Sequence, residues 1–436
     1  MKAYEGQRLL KSEWEVFYPA ADLTYAEKVP AMINEEKVTT CQRCGTKSQE
    51  QVPAGFYYCP ACISLGRISS NQHLYTFPLT QLSKRSVSCQ WTGRLSDAQK
   101  EIADQLVSDQ SQADTFLVWA VTGAGKTEIL YPLIQTYLSQ GKRIAVTSPR
   151  VDVCNELHLR FTQSFQREKI SLYHGSKRVD EGNQWIVCTI HQLFRYHQTF
   201  DLIILDEVDA FPYANNPFLE QAIMRAKQPQ GKIVYLSATP AKELQRTVAR
   251  CYRLPARYHR RPLPVPKVVL NLSLKKKLSQ SKLPNPIITE LERLLVKNDV
   301  LVFCPSIPLL EVVAQQLLAS FPELTMTTVF ANDEERLIKV ENMRDSKYQV
   351  LITTTILERG VTFEGVSVMI LDAAHRVFNK AALVQIAGRA DRKGPFRNAE
   401  VCFVTSEWTR TIKQAVKEIK ENNHLAMKAG LLDEMQ

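Results

Sequence analysis

Three groups of residues in this 436-residue chain have the types and spacing to do chemistry. The first is Ala120-Val121-Thr122-Gly123-Ala124-Gly125-Lys126-Thr127, which follows the apolar run FLVWAV (116–121) and opens a helical stretch, TEILYPLIQTYL. Small residues between a strand and a helix let backbone N–H groups close around a phosphate at the helix N-terminus. Thr122, Gly123, Ala124 and Gly125 form the candidate cradle. Lys126 would reach the β- and γ-phosphates of ATP, and Thr127 would offer its hydroxyl to Mg²⁺. Ala120 stands where the strict pattern has Gly.

The second group ends another apolar run, where Ile203-Ile204-Leu205 leads into Asp206-Glu207-Val208-Asp209. Carboxylates at a strand end sit on the carboxyl edge of the sheet, where open α/β folds bind ligands. Asp206 would hold Mg²⁺ through water, and Glu207 would act as general base on the attacking water. The third group is Cys41-x-x-Cys44 and Cys59-x-x-Cys62, separated by fourteen residues. Two such knuckles can hold one Zn²⁺ per chain. Four thiolate ligands leave no open coordination position, so the expected role is structural, with a redox dithiol as the alternative.

The elements that must position these groups read as three blocks: 1–90 around the cysteines, 91–262 and 263–436. At roughly 100–200 residues per domain, the length allows two to four domains. In each of the two larger blocks, short β-branched apolar runs alternate with helical stretches. The runs are 116–121, 143–149, 185–190, 201–207 and 232–239, then 299–306, 325–330, 348–355, 366–374 and 399–405. Continuous apolar runs suit parallel sheets covered on both faces. The expectation is an α/β protein with two tandem doubly wound domains behind a small N-terminal Cys₄ module. That module has few apolar residues, so zinc would supply part of its folding energy. Phe56, Tyr57 and Tyr58 could stack on bases or pack under the cysteine ribbon.

Hydrophobic residues are 44% and charged residues 23% of the chain, an ordinary globular mixture that argues against disorder. No run approaches the ~18 apolar residues of a membrane span, and residues 1–16 lack a secretory apolar region. The six cysteines outside the knuckles are scattered in apolar runs, a reduced rather than disulfide-bonded pattern. These features predict a cytoplasmic protein. Net charge is +10, and residues 250–282 hold ten Lys/Arg and no Asp or Glu, which accounts for the whole excess. This Pro-rich stretch reads either as a solvated linker or as a contact for phosphate backbones, with Lys275, Lys276 and Lys277 as its densest run.

With the phosphate loop and acidic strand end in place, the chain resembles the superfamily 2 helicases and translocases, whose domains are RecA-like. Further signatures of that superfamily follow in order. Leu95-Ser-Asp-Ala-Gln99 is similar to the adenine-reading glutamine motif. Thr147-Ser-Pro-Arg150 is similar to motif Ia, Thr189-Ile-His-Gln192 to motif Ib and Ser237-Ala-Thr239-Pro240 to motif III. Phe303-Cys-Pro-Ser306 fits motif IV, 353–362 with Thr354 and Gly360 fits motif V, and Gln385-Ile-Ala-Gly388-Arg389-Ala-Asp391-Arg392 fits motif VI. The resemblance implies that Gln99 and Gly360 touch the nucleotide. It also implies that Arg150, Ser237, Thr239, Thr354 and Gln385 couple the nucleotide to nucleic acid. Hydrolysis spreads charge over the γ-phosphate oxygens, and a guanidinium from the second domain stabilises it; Arg389 and Arg392 are the candidates. Asp391 stands where relatives often carry Gly.

A single Cys₄ set before a compact motor, with DEVDAFP (206–212) and TTTILERGVTF (353–363), is similar to the ComFA family of competence ATPases over residues 41–405. The resemblance implies an ATPase stimulated by single-stranded DNA that internalises the strand during natural transformation. It further implies a ComFC-like, phosphoribosyltransferase-like partner, other DNA-uptake proteins, and docking at the inner face of the membrane through them. A homo-oligomer is compatible with the sequence. PriA-like restart helicases share the motif V pattern, but carry two zincs inserted between the motor domains. An ATP-gated nucleic-acid clamp with little translocation uses the same motifs.

Overall fold

The computed structural model describes every residue except 1–3, 36–37, 176, 183, 211, 214–215, 359–362, 393–397 and 434–436. The chain forms two compact units. One joins residues 1–118 with 126–252; the other joins 119–125 with 253–436.

An eight-stranded sheet runs in the order Lys177–Val179, Ser171–His174, Trp185–Thr189, Ile144–Ser148, Phe200–Leu205, Lys227–Ser237, Thr115–Ala120, Arg250–Leu254. The five strands from Ser171–His174 to Lys227–Ser237 pair in parallel. Ile144–Ser148 and Trp185–Thr189 are buried at every position. That is why they read as continuous rather than alternating apolar runs. The helices Asp97–Ser108, Tyr131–Ser139, Val151–Ser164 and Pro217–Ala226 accompany them. The single helix expected after the phosphate loop is two, Lys126–Ile129 and Tyr131–Ser139. Pro132 lies in the first turn of the second helix, where its missing N–H is tolerated, and it cannot continue the first.

The second unit holds a six-stranded sheet in the order Lys267–Leu270, Val401–Thr405, Ser367–Ile370, Val300–Phe303, Val350–Thr353, Met326–Val329. Every neighbouring pair is parallel. All of its strands except Lys267–Leu270 coincide with runs expected from sequence. Lys267–Leu270 lies inside the stretch read as a passage between domains, where four residues flanked by prolines carry no periodic signal. It is an edge strand, with Lys267 opposite Cys402. The last helix among the described residues is Arg410–Lys428, whose buried Ile412, Ala415 and Ile419 keep helical spacing.

The residues before position 90 form two small antiparallel sheets. They do not have a core of their own around the cysteines. Cys41, Cys44, Cys59, Cys62, Leu65 and Ile68 belong to one continuous apolar cluster with Ile186, Leu193, Phe194, Leu219 and Ile223 of the eight-stranded sheet and its helices. Tyr57 packs against the same cluster. The seam is fastened by arginines. Arg43, with a fully buried side chain, pairs with Glu13. Arg195 pairs with the other oxygen of Glu13 at 2.6 Å and donates to the Leu65 carbonyl at 3.1 Å. Arg225 donates to the Gln42 carbonyl at 2.9 Å.

Glu13 is therefore the shared anion of two guanidinium groups. Removing one partner of a buried pair costs about 3–5 kcal/mol, because the remaining charge stays buried without compensation. Glu13→Gln is expected to lower the unfolding free energy by about that much, read by denaturant titration of Trp14 fluorescence. A change below about 0.5 kcal/mol, the range of ordinary surface substitutions, would contradict this.

Candidate functional site

Four parallel strands of the first unit deliver side chains to one edge. Ile144–Ser148 ends at Arg150, Trp185–Thr189 at the 190–195 turn, Phe200–Leu205 at Asp206 and Lys227–Ser237 at Thr239. Asp206 is nearly buried, and its N–H donates to the Thr147 carbonyl at 2.8 Å. Its carboxylate accepts from the Glu207 N–H at 2.9 Å. Glu207 adopts φ +57°, a left-handed conformation that a β-carbon disfavours and that redirects the chain sharply at the strand end. Asp209, quoted in the acidic quartet without a role, accepts hydrogen bonds from Ser237 Oγ and Thr239 Oγ1, each at 2.6 Å. The two acidic and hydroxyl motifs are thus one hydrogen-bonded object. Ser237 and Thr239 reach the acidic turn through Asp209. The aspartate at the end of the D-E-V-D quartet was the available signal.

The phosphate loop spans both units along the chain. Gly123 and Gly125 take φ +84° and +73°, which a glycine adopts without strain. Lys126 and Thr127 begin the helix Lys126–Ile129, Thr127 buried and Lys126 half-buried. Residues 119–125 belong with the second unit, and their contacts there are specific. Val121 N–H donates to the Leu254 carbonyl at 3.1 Å, and the Gly123 carbonyl accepts from Tyr258 N–H at 3.1 Å. Thr122 Oγ1 donates to Gln385 Oε1 at 3.0 Å. A Cβ on Gly388 would stand 2.8 Å from Thr122 Cβ, so only glycine permits this approach. Ala124 is buried.

Gln385 and Gly388 lie on and just after the helix Lys380–Ala387. The two arginines that follow differ. Arg389 is buried, and its Nε donates to the Glu358 carbonyl at 3.1 Å. Arg392 lies beside the loop: a Cβ on Gly123 would be 3.6 Å from Arg392 Cγ. Between them Asp391 takes φ +49°. That left-handed conformation is one that Gly adopts more readily than Asp.

Other expected site residues have mixed surroundings. Gln99 caps its own helix, Oε1 accepting from Ser96 N–H at 2.8 Å, a reciprocal capping box. Arg150 forms a two-pronged pair with Asp152, at 3.0 and 3.2 Å. Thr354 precedes the short turn Thr355–Leu357. Gly360 lies outside the described residues. Lys275 pairs with Glu407 at 2.7 Å, while Lys276 and Lys277 are exposed and have no acidic partner among the described residues. Arg257, counted in sequence as one of the basic stretch, is buried to 2% and donates to three carbonyls between Gly388 and Asp391. Composition gives no signal for such a role.

All four knuckle sulfurs are buried and lie within 4.8 Å of one another. Cys44 Sγ is 3.4 Å from Cys59 Sγ, and Cys41 Sγ is 3.9 Å from Cys62 Sγ. Zn–S bonds of about 2.3 Å in a regular tetrahedron put sulfurs about 3.8 Å apart, whereas a disulfide needs about 2.05 Å. The donor set fits a single zinc ion held by Cys41, Cys44, Cys59 and Cys62. Because these cysteines share a core with the first sheet, Cys62→Ser is expected to remove zinc and also to lower the melting temperature of the whole first unit. Elemental analysis together with a thermal melt checks this. A zinc-free variant that melts as wild type would contradict it.

Comparison with known proteins agrees with this geometry. Residues 1–76 match the family model for the competence protein ComFA N-terminal domain. Residues 92–242 match the type III restriction enzyme res subunit, and 286–394 the helicase conserved C-terminal domain. Competence protein ComFA of Bacillus subtilis strain 168 is 39% identical over 411 residues, covering 90% of this chain and 87% of the relative. Competence protein ComFA of Streptococcus pneumoniae strain R6 is 36% identical, covering 91% and 93%. The B. subtilis replication restart protein PriA is 26% identical over only 40% of the chain and 23% of its own length. Among solved structures, Saccharomyces cerevisiae Dbp5 bound to RNA and ADP BeF3 superposes with a TM-score of 0.57 at 16% identity, covering 76% of this chain and 88% of that one. Mss116p bound to ssRNA and AMP-PNP gives 0.54 at 15%, with 78% and 83% covered. These two establish the fold, a pair of RecA-like sheets. Two competence proteins matched over about nine-tenths of this chain at more than 30% identity, together with the N-terminal family match, place the chain in the ComFA family of competence proteins.

Proposed function

We propose that the chain hydrolyses ATP with Mg²⁺ under stimulation by single-stranded DNA, and that this drives the strand inward during natural transformation. The observation that carries the reading is the approach of Arg392 and Gln385 to the phosphate loop. A loop built to hold phosphates lies against a turn that supplies a guanidinium. Lys126 would hold the β- and γ-phosphates, and Thr127 with Asp206 would hold the metal. Mg²⁺ held there would supply positive charge against the β- and γ-phosphates. Glu207 would take the proton from the attacking water, its carboxylate placed by the left-handed turn at the strand end. Arg392 would meet the charge that develops on the γ-phosphate, and Arg389 would support that turn through the Glu358 carbonyl. Asp209 would transmit the state of the acidic turn to Ser237 and Thr239. The three blocks 1–90, 91–262 and 263–436 would serve as zinc module, ATP-binding domain and second helicase domain. Zinc would be structural.

Family membership supports partnership with a ComFC-like phosphoribosyltransferase-like protein and other uptake proteins at the inner face of the membrane. Among the described residues no helix is long and apolar enough to cross a membrane. The protein would therefore reach that face through partners. A displaced-strand translocation assay separates a motor from an ATP-gated clamp: ATP-dependent displacement is expected, and its absence alongside ATP turnover would favour the clamp.

Glu207→Gln is expected to bind ATP but to lose about 10²–10⁴-fold in turnover. Steady-state hydrolysis with nucleotide affinity measured separately checks this, and near-normal turnover would remove Glu207 from the role of base. Among the described residues Lys276 and Lys277 are the members of the triple-lysine run without an acidic partner, so they are the ones that can serve phosphates. Each single-strand phosphate contact contributes roughly 0.7 to the slope of log affinity against log salt. Changing both to Gln is expected to flatten that slope by one to two contacts' worth, and an unchanged slope would mark them as solvated.

A further inference from the structure

Arg257 is a charged side chain buried to 2%, in a segment whose other cations mostly face solvent or acids. Its Nη1 donates to the carbonyls of Ala390 and Asp391, both at 2.9 Å, and its Nη2 to the carbonyl of Gly388 at 3.1 Å. These carbonyls follow the last turn of the helix Lys380–Ala387, where intrahelical donors run out and a cation is favoured. The turn they form contains the left-handed Asp391, whose carboxylate lies 3.8 Å from Arg261. On its other side, Arg257 faces the phosphate loop. A Cβ on Gly123 would lie 3.6 Å from Arg257 Cγ, the same distance as from Arg392 Cγ. The backbone around Arg257 grips that loop as well, at Val121 through Leu254 and at Gly123 through Tyr258. One residue thus touches both the loop and the backbone that carries Arg392.

We propose that Arg257 is a positioning residue for phosphoryl-transfer chemistry: its guanidinium fork holds the 388–391 turn so that Arg392 is presented to the phosphate loop. This rests on the ATPase reading above. A planar fork with several fixed donors can span three carbonyls of one turn; a lysine ammonium cannot. The surrounding charge agrees with the assignment. Burial, then Arg392, lowers the Arg257 pKa to about 9, with Asp391 opposing and Arg261 adding to the shift.

The test is Arg257→Lys in the full chain, assayed with ATP and single-stranded DNA. A misplacement of about 1 Å at a reacting centre can cost about 10²-fold. The expected result is a fall in kcat of about that size, with KM for ATP and the melting temperature near wild type. Arg257→Lys added to Arg392→Ala should cost nothing more, because residues acting through one group are not additive. Normal kcat in Arg257→Lys, or a full additional loss in the double variant, overturns the proposal. If Arg257→Lys does not fold, Arg257→Gln takes its place; loss of the native melt in both overturns the positioning role in favour of a structural one. Wild-type protein without DNA-stimulated turnover would instead overturn the ATPase reading itself.

Discussion

The site depends on a close approach of two backbones. The phosphate loop at Thr122–Gly123 and the turn at Gly388–Arg392 meet because Gly388 carries no β-carbon where it faces the Thr122 side chain. A methyl group on Gly388 would overlap Thr122, and the stems of Arg257 and Arg392 lie beside Gly123. Given that approach, the rest of the arrangement is constrained. The helix Lys380–Ala387 must end where it does, its last carbonyls must find a donor from outside the helix, and Asp391 must bend left-handed. Strain of this kind costs roughly 1–3 kcal/mol per residue and persists only where surroundings enforce it. Glu207 is the matching case in the first unit.

Many arginines of this chain point inward. Arg43, Arg143, Arg195, Arg225 and Arg257 act as internal fasteners that reach carbonyls or buried carboxylates. Arg143, for example, donates both to Glu5 and to the Thr80 carbonyl, each at 2.9 Å. The concentration of positive charge between residues 250 and 282 is likewise not one uniform stripe. Arg250, Arg260, Arg261, Lys267 and Lys275 are matched to Asp109, Asp433, Asp391, Glu290 and Glu407. Acids remote in sequence balance a segment that contains none. Charge counted along the chain therefore overstates what nucleic acid could meet there.

The fold and the nucleotide site were legible in sequence to different depths. Strands buried on both faces announced themselves as apolar runs, and the loop after Thr115–Ala120 and the carboxylates after Phe200–Leu205 stood at strand ends as expected. The cysteine knuckles were legible because metal geometry dictates spacing. Lys267–Leu270 was hidden because an edge strand of four residues needs no long apolar run. Gln99 was legible only as a motif letter; its capping of Ser96 became visible with the helix around it. Arg257 could not be distinguished from its neighbours, since burial of a cation depends on carbonyls 131 to 134 residues away. The fusion of the cysteine block with the first sheet was equally silent, because it arises from packing between elements rather than from a pattern within one.

Placing residues 119–125 with the second unit has a consequence for biosynthesis. Thr122 and its partner Gln385 are 263 positions apart. Chains emerge from the ribosome in order, and domains fold as they appear. The strand Thr115–Ala120 and the loop after it are complete long before the residues that pack on the loop exist. For that interval a nascent chain can assemble most of its first sheet while its glycine loop faces solvent, stabilised by no long-range contact to the second unit. Closing so distant a pairing is slow. The nucleotide loop is thus one of the first pieces of the molecule to be made and one of the last to be finished.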